Sequence, residues 1–145
     1  MASSRMLVAV SSPWASERFA TPIVDLAQRL RSDVVVAHVT EVKEEDESDS
    51  DAKERAEQTL KLLTERLRDA GIAADGIMLF SDDVGKAILN TAKARNCTLI
   101  VLGFSGDGFL KGIFKRLLAS DVVSSILKNA ELPVLLCPTN WQGTL

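Results

Sequence analysis

Five short apolar runs, separated by stretches with helical periodicity, constrain this chain more than any other feature. They are Met6-Leu7-Val8-Ala9-Val10, Val34-Val35-Val36-Ala37-His38-Val39, Ile77-Met78-Leu79-Phe80, Leu99-Ile100-Val101-Leu102 and Val134-Leu135-Leu136. The runs are continuous rather than alternating, the pattern of strands covered on both faces. Parallel strands need crossovers, and the intervals between the runs can hold helices. The predicted fold is α/β: an open five-stranded parallel sheet with helices on both faces, in the order β-α-β-α-β-α-β-α-β. At 145 residues the chain suits a single domain spanning 1–145.

The intervening segments carry helix signals. Ser16 is a candidate cap for a first helix with the stripe Phe19, Ile23, Leu26, Ala27 and Leu30, and Pro22 predicts a late start or a bend there. A second helix places Ala56, Leu60, Leu63 and Leu67 on one face and ends at Gly71, a suitable residue just past a helix terminus. Asp82 or Asp83 can cap a third, with Val84, Ala87, Ile88 and Ala92 turned inward. A fourth runs from about Ser120 to Asn129, with Val122, Val123, Ile126 and Leu127 apolar, and stops before Pro133. Between Glu41 and Asp51, seven of eleven residues are acidic. Such a block repels itself and lacks apolar anchors, which predicts a solvated, mobile loop or, as a sharper reading, a docking segment for a basic protein partner.

Charge and composition exclude several functions. A net charge of −3 gives no basic field for nucleic acid, and no apolar run approaches the length of a bilayer span. The start of the chain has no apolar signal core, so a cytoplasmic location is expected. Cys97 and Cys137 lie 40 residues apart without a CxxC pattern and read as reduced, buried, small hydrophobes. His38, the one histidine, sits inside an apolar run and reads as a packed strand residue. No zinc set, no nucleophile–histidine pair, no G-x-G-x-x-G after the first strand and no G-x-x-x-x-G-K-[ST] is present. The expectation is a protein with no catalytic residues and no resident metal, which binds or senses a ligand.

In open parallel sheets, ligands bind outside the carboxyl ends of the strands. Ser11-Ser12-Pro13-Trp14 follows the first run, and Gly103-Phe104-Ser105-Gly106-Asp107-Gly108 follows the fourth. Glycines let backbone N–H groups approach an anion, and Lys111, Lys115 and Arg116 add positive charge nearby. These residues taken alone equally fit a flexible surface turn, a solvated basic face and a core contribution from Phe109, Ile113 and Phe114.

The chain nevertheless resembles the universal stress protein family over nearly its whole length. The resemblance is carried by Leu7-Val8-Ala9-Val10 with Ser16-Glu17-Arg18, by Val36-Ala37-His38-Val39, by Ala87-Ile88, by Leu99-Ile100-Val101-Leu102-Gly103, and by the run from Val122 to Leu127 followed by Pro133-Val134-Leu135-Leu136. It implies the sheet order 3-2-1-4-5, which makes the first and fourth strands neighbours. It also implies ATP or AMP at their carboxyl ends, with Mg²⁺ only alongside ATP. Adenine would lie against Val10 and Val39, next to Ala9 and Leu102. Phosphates would be held by a G-x2-G-x9-G-[ST] motif running into the last helix.

The match to that motif is partial. Gly103 and Gly106 occupy its first two glycines, with Gly108 and Lys111 following. The G-[ST] pair falls on Ser120-Asp121, ahead of Val122, with a spacer of thirteen residues instead of nine, and the usual aspartate after the first strand is Ser11. Asp121 competes with a phosphate for the same helix N-terminus. The resemblance therefore implies either a regulatory, stress-responsive module that binds an adenine nucleotide, or a dimeric interaction protein of the same fold without ATP. Slow ATP hydrolysis ranks behind both. A homodimer through the fifth strand, Val134-Leu135-Leu136, is implied in either case.

Overall fold

The computed structural model describes residues 3–10, 13–40, 49–81, 83–104, 121–138 and 141. Five parallel strands, β1 (Arg5–Val10), β2 (Asp33–Thr40), β3 (Ala74–Phe80), β4 (Leu99–Phe104) and β5 (Val134–Pro138), form one sheet in the order β3-β2-β1-β4-β5. Among the described residues four helices accompany them: α1 (Pro13–Leu30), α2 (Asp49–Asp69), α3 (Val84–Ala94) and α4 (Asp121–Asn129). The strand period of two sorts side chains between two cores. Met6, Val8 and Val10 join Phe19, Ile23 and Leu26 of α1 and Leu63 and Leu67 of α2, whereas Leu7 joins Ile88 and Ala92 of α3 and Ile126 of α4. Helices thus cover both faces, which is why β1 is apolar without alternation.

Several local expectations are corrected. Helix α1 begins at Pro13, so Ser16 does not cap it. Ser16 is fully buried, and its hydroxyl donates to the Thr59 carbonyl of α2 at 2.5 Å. Ala20 of α1 and Ala56 and Thr59 of α2 are buried as well. Pro22 lies within α1 without ending it. Leu30, the last residue of that helix, is 42% exposed: its spacing continues the stripe, but the packed face has ended. Strand β3 starts three residues before the apolar run, because Ala74, Asp75 and Gly76 pair with Val34, Val35 and Val36 through the backbone at a sheet edge. The acidic segment divides: Asp49 and Asp51 lie in the first turn of α2, where the partial positive charge of the helix terminus favours carboxylates, and 41–48 lie outside the described residues.

Three helices end in the same hydrogen-bonded turn. After α2, Ile72 N–H donates to Leu67 O and Gly71 N–H to Arg68 O, with Gly71 at φ 81°. After α1 the corresponding donors are Ser32 and Arg31, and after α3 they are Cys97 and Asn96; Arg31 sits at φ 51° and Asn96 at φ 56°. These are Schellman turns, whose left-handed residue is best as glycine. At the amino end of α3, Asp83 caps as expected, accepting from Lys86 N–H at 3.0 Å. In urea unfolding, Gly71→Ala is expected to lower stability by roughly 1 kcal/mol, and Arg31→Gly to raise it by about 0.5 kcal/mol once the greater freedom of the unfolded chain is subtracted. A stabilising Gly71→Ala would show that the turn does not require its left-handed residue.

Candidate functional site

The site is set by how strands leave the sheet. Numbering runs from β1 through β2 to β3 on one side, and from β4 to β5 on the other. After β1 the chain enters α1 on one face, and β4 is followed by α4 on the opposite face. The carboxyl ends of β1 and β4 therefore flank a topological switch point, the place where open α/β sheets characteristically offer a crevice to a ligand. Among the described residues the pairing of these strands runs from Met6–Leu99 to Ala9–Leu102, and Val10 and Gly103 are the next residues along the two strands.

The structure brings most of the sequence-predicted strand residues to this end. Val10 is buried on the α1/α2 side, Leu102 is buried on the α3/α4 side, and Ala9 packs partly buried on the same side as Leu102. Val39 is the next-to-last residue of β2, in register with Leu79, and Gly103 is in register with Cys137. Asp121 and Val122 open α4. Four residues separate the end of α4 from the first residue of β5. The helix therefore delivers the chain to the amino end of the sheet, and its own first turn, with its partial positive charge, lies at the carboxyl end. Ser11, Gly106, Gly108, Lys111 and Ser120 lie outside the described residues.

His38, expected to be a packed strand residue, is 3% exposed and does more than fill space. Its Nδ1 lies 3.2 Å from the Val10 carbonyl oxygen. A carbonyl only accepts, so Nδ1 carries the proton and the neutral ring keeps its lone pair on Nε2. Burial lowers the imidazole pKa below 6.5; the Val10 hydrogen bond opposes this, and the positive charge of Arg55 on α2 adds to it. The residue type and the parallel pairing of the first two apolar runs were both visible in the sequence. The Val10–His38 register that joins them was not.

The sign of the pH effect follows. With the folded-state pKa depressed, the unfolded chain takes up a proton first as pH falls, so stability is complete above pH 6.5 and declines below it. The unfolding midpoint is expected to drop between pH 7.5 and 5.5. In His38→Asn this drop is expected to be smaller; an equal drop would place the titrating group elsewhere.

The cysteines offer no reactive thiol. Burial pushes Cys137 up to about 11. Cys97 is half-buried rather than buried, and burial also raises its pKa, against the opposing charges of Arg5 and Arg95. Both are poor thiolates at neutral pH. Among the described residues no group of three or more His, Cys, Asp or Glu side chains could hold a metal ion, and no helix is long and apolar enough to cross a membrane. A groove of about 750 Å³ lies between α3 and α4, lined by Lys86, Lys93, Asn90, Asp83, Ser125 and Glu131 among others. Its charges are mixed in sign and none of its described lining residues belongs to β1 or β4, so the switch point is the better candidate.

Fold and site together define an open, doubly wound α/β protein with its candidate crevice between the first and fourth strands. The model of the universal stress protein family matches residues 3–138. The chain belongs to the universal stress protein family.

No curated protein matches the chain in sequence. Solved structures share its fold. The universal stress protein from Archaeoglobus fulgidus in complex with dAMP aligns with a TM-score of 0.67 at 18% identity, covering 94% of this chain and 98% of that one. A universal stress protein family member from Burkholderia pseudomallei aligns at 0.69 and 22% identity, covering 93% and 96%. A family protein from Arabidopsis thaliana with AMP bound aligns at 0.63 and 17% identity, covering 98% and 96%.

Proposed function

We propose that this protein binds an adenine nucleotide, AMP or ATP, in the crevice between the ends of β1 and β4, and that it acts as a stress-responsive regulatory module rather than an enzyme. The observation that carries this reading is the sheet order β3-β2-β1-β4-β5, which puts the apolar carboxyl ends of β1 and β4 side by side at the switch point. Val10, on the α1/α2 side, and Leu102, on the α3/α4 side, make the two strand ends at this point apolar, which suits a base. The first turn of α4 presents its N-terminus towards the same end, suited to a phosphate. The dAMP and AMP complexes of the relatives support the adenine assignment. Mg²⁺ would accompany ATP and has no ligand set of its own among the described residues.

One observation favours a second reading. Asp121 is the first residue of α4, so an acidic residue opens the helix whose first turn would suit a phosphate. On this reading the protein is a dimeric interaction module that holds no nucleotide. Strand β5 is an edge, and Leu136 on it is 36% exposed, which suits pairing with a second copy in either case. The test is the purified protein, analysed for co-purifying nucleotide and then titrated with AMP and with Mg-ATP by calorimetry. Heat that disappears in Gly106→Val supports the nucleotide reading. Absence of heat together with a dimer by light scattering supports the second.

A further inference from the structure

The wall of the crevice contains a buried polar group that the nucleotide reading leaves unused. His38 lies on β2 beside the last residue of β1, 3% exposed. Its Nε2 is buried and has no hydrogen-bond partner among the described residues. A leucine would fill the same space without desolvating a ring nitrogen, so the imidazole carries a cost that packing alone does not require. The compensating interaction is the hydrogen bond from Nδ1 to the Val10 carbonyl.

Where that bond falls gives it its significance. Among the described residues the last pair between β1 and β4 is Ala9–Leu102, and the last between β1 and β2 is Val10–His38. At Val10 the register pair of β1 is with His38 of β2, where the imidazole adds a side-chain bond to the backbone ladder. The geometry points to His38 as a positioning residue for the crevice: by holding the Val10 carbonyl it fixes the path on which β1 leaves the sheet, and so the separation of the β1 and β4 ends between which the adenine nucleotide binds. The inference rests on the nucleotide reading of this site. His38 acts through Val10 and touches no ligand.

Three substitutions separate this role from packing. In His38→Asn the amide nitrogen occupies the place of Nδ1 and keeps a donor for Val10. In His38→Gln the amide reaches the place of Nε2, and the Nδ1 donor is lost. His38→Leu keeps bulk and removes both. Each is titrated with AMP and Mg-ATP, and hydrogen exchange of the peptide covering residues 6–10 is followed in the absence of nucleotide. Binding is expected to stay within about threefold of wild type for Asn and to weaken about tenfold or more for Gln and Leu. Exchange at residues 6–10 is expected to speed up in Gln and Leu but not in Asn, with residues 99–102 unchanged.

The inference is overturned if Asn behaves like Leu, or if all three variants match wild type in both measurements. Should wild type itself take up neither AMP nor ATP, the nucleotide reading fails, and the exchange pattern alone then decides whether His38 positions the end of β1: faster exchange confined to Gln and Leu upholds it, and uniform behaviour ends it.

Discussion

Ile126→Ala is expected to destabilise the protein by about 2–5 kcal/mol, the range for emptying a fully buried aliphatic position. Helix α4 is only nine residues long, and among its residues with described side chains Ile126 is the buried anchor: it is fully buried, whereas Leu127 is 55% exposed and Lys128 and Asn129 face solvent. Isolated helices of this length are unstable in water, so α4 depends on the contact of Ile126 with Leu7, Ile100 and their neighbours on the sheet. Chemical denaturation read by circular dichroism measures the loss. Leu127→Ala is the control, expected within about 0.5 kcal/mol of wild type because it removes exposed surface. Equal effects of the two substitutions would mean that α4 presents a different face to the sheet. Because α4 begins at Asp121, loosening the helix also carries a functional signature: nucleotide binding is expected to weaken in Ile126→Ala even at temperatures where the sheet remains folded.

If the proposed nucleotide site is right, Asp121→Ser is expected to strengthen ATP binding by about tenfold or more, corresponding to about 1.4 kcal/mol. The reason is electrostatic. The first turn of α4 attracts one anion, and its first residue is already acidic. Two like charges at one helix terminus repel, and solvent screening leaves only part of that repulsion. AMP, with fewer charges, is expected to gain less than ATP, so the ratio of the two affinities shifts towards ATP. Calorimetric titrations at two salt concentrations test this, since the gain must shrink as salt rises. Unchanged or weaker ATP binding in Asp121→Ser would show that phosphates do not approach α4. Serine also retains the capacity to support a helix start, so lost helix stability does not confound the result.

Much of the architecture was legible in the residues. Val34 to Val39 and Leu99 to Leu102 are apolar at every or nearly every position because helices lie on both sides of them. Gly71 announced the end of α2 because few other residues accept a positive φ. The amino half of β3 was not legible, since Asp75 and Gly76 carry no apolar signal and join an edge strand by backbone bonds alone. Ser16 resembled a cap because serine favours that role, yet its partner is a carbonyl 43 residues away. Arg31 and Asn96 gave no warning that they would occupy the left-handed position that α2 assigns to glycine.

What the sequence by itself determined is the alternation of strands and crossover helices, because the demand for apolar cover on both faces of a parallel sheet is written directly into five continuous runs. The strands' own residues did not choose their neighbours: all five are apolar and equally able to pair, and the placing of β1 beside β4 was implied by family resemblance before the structure showed it. Only the tertiary structure decided the register of β1 against β4 and that His38 meets the Val10 carbonyl. Such contacts depend on the register of strands distant in the chain, which is set by the packing of whole layers rather than by any local run of residues.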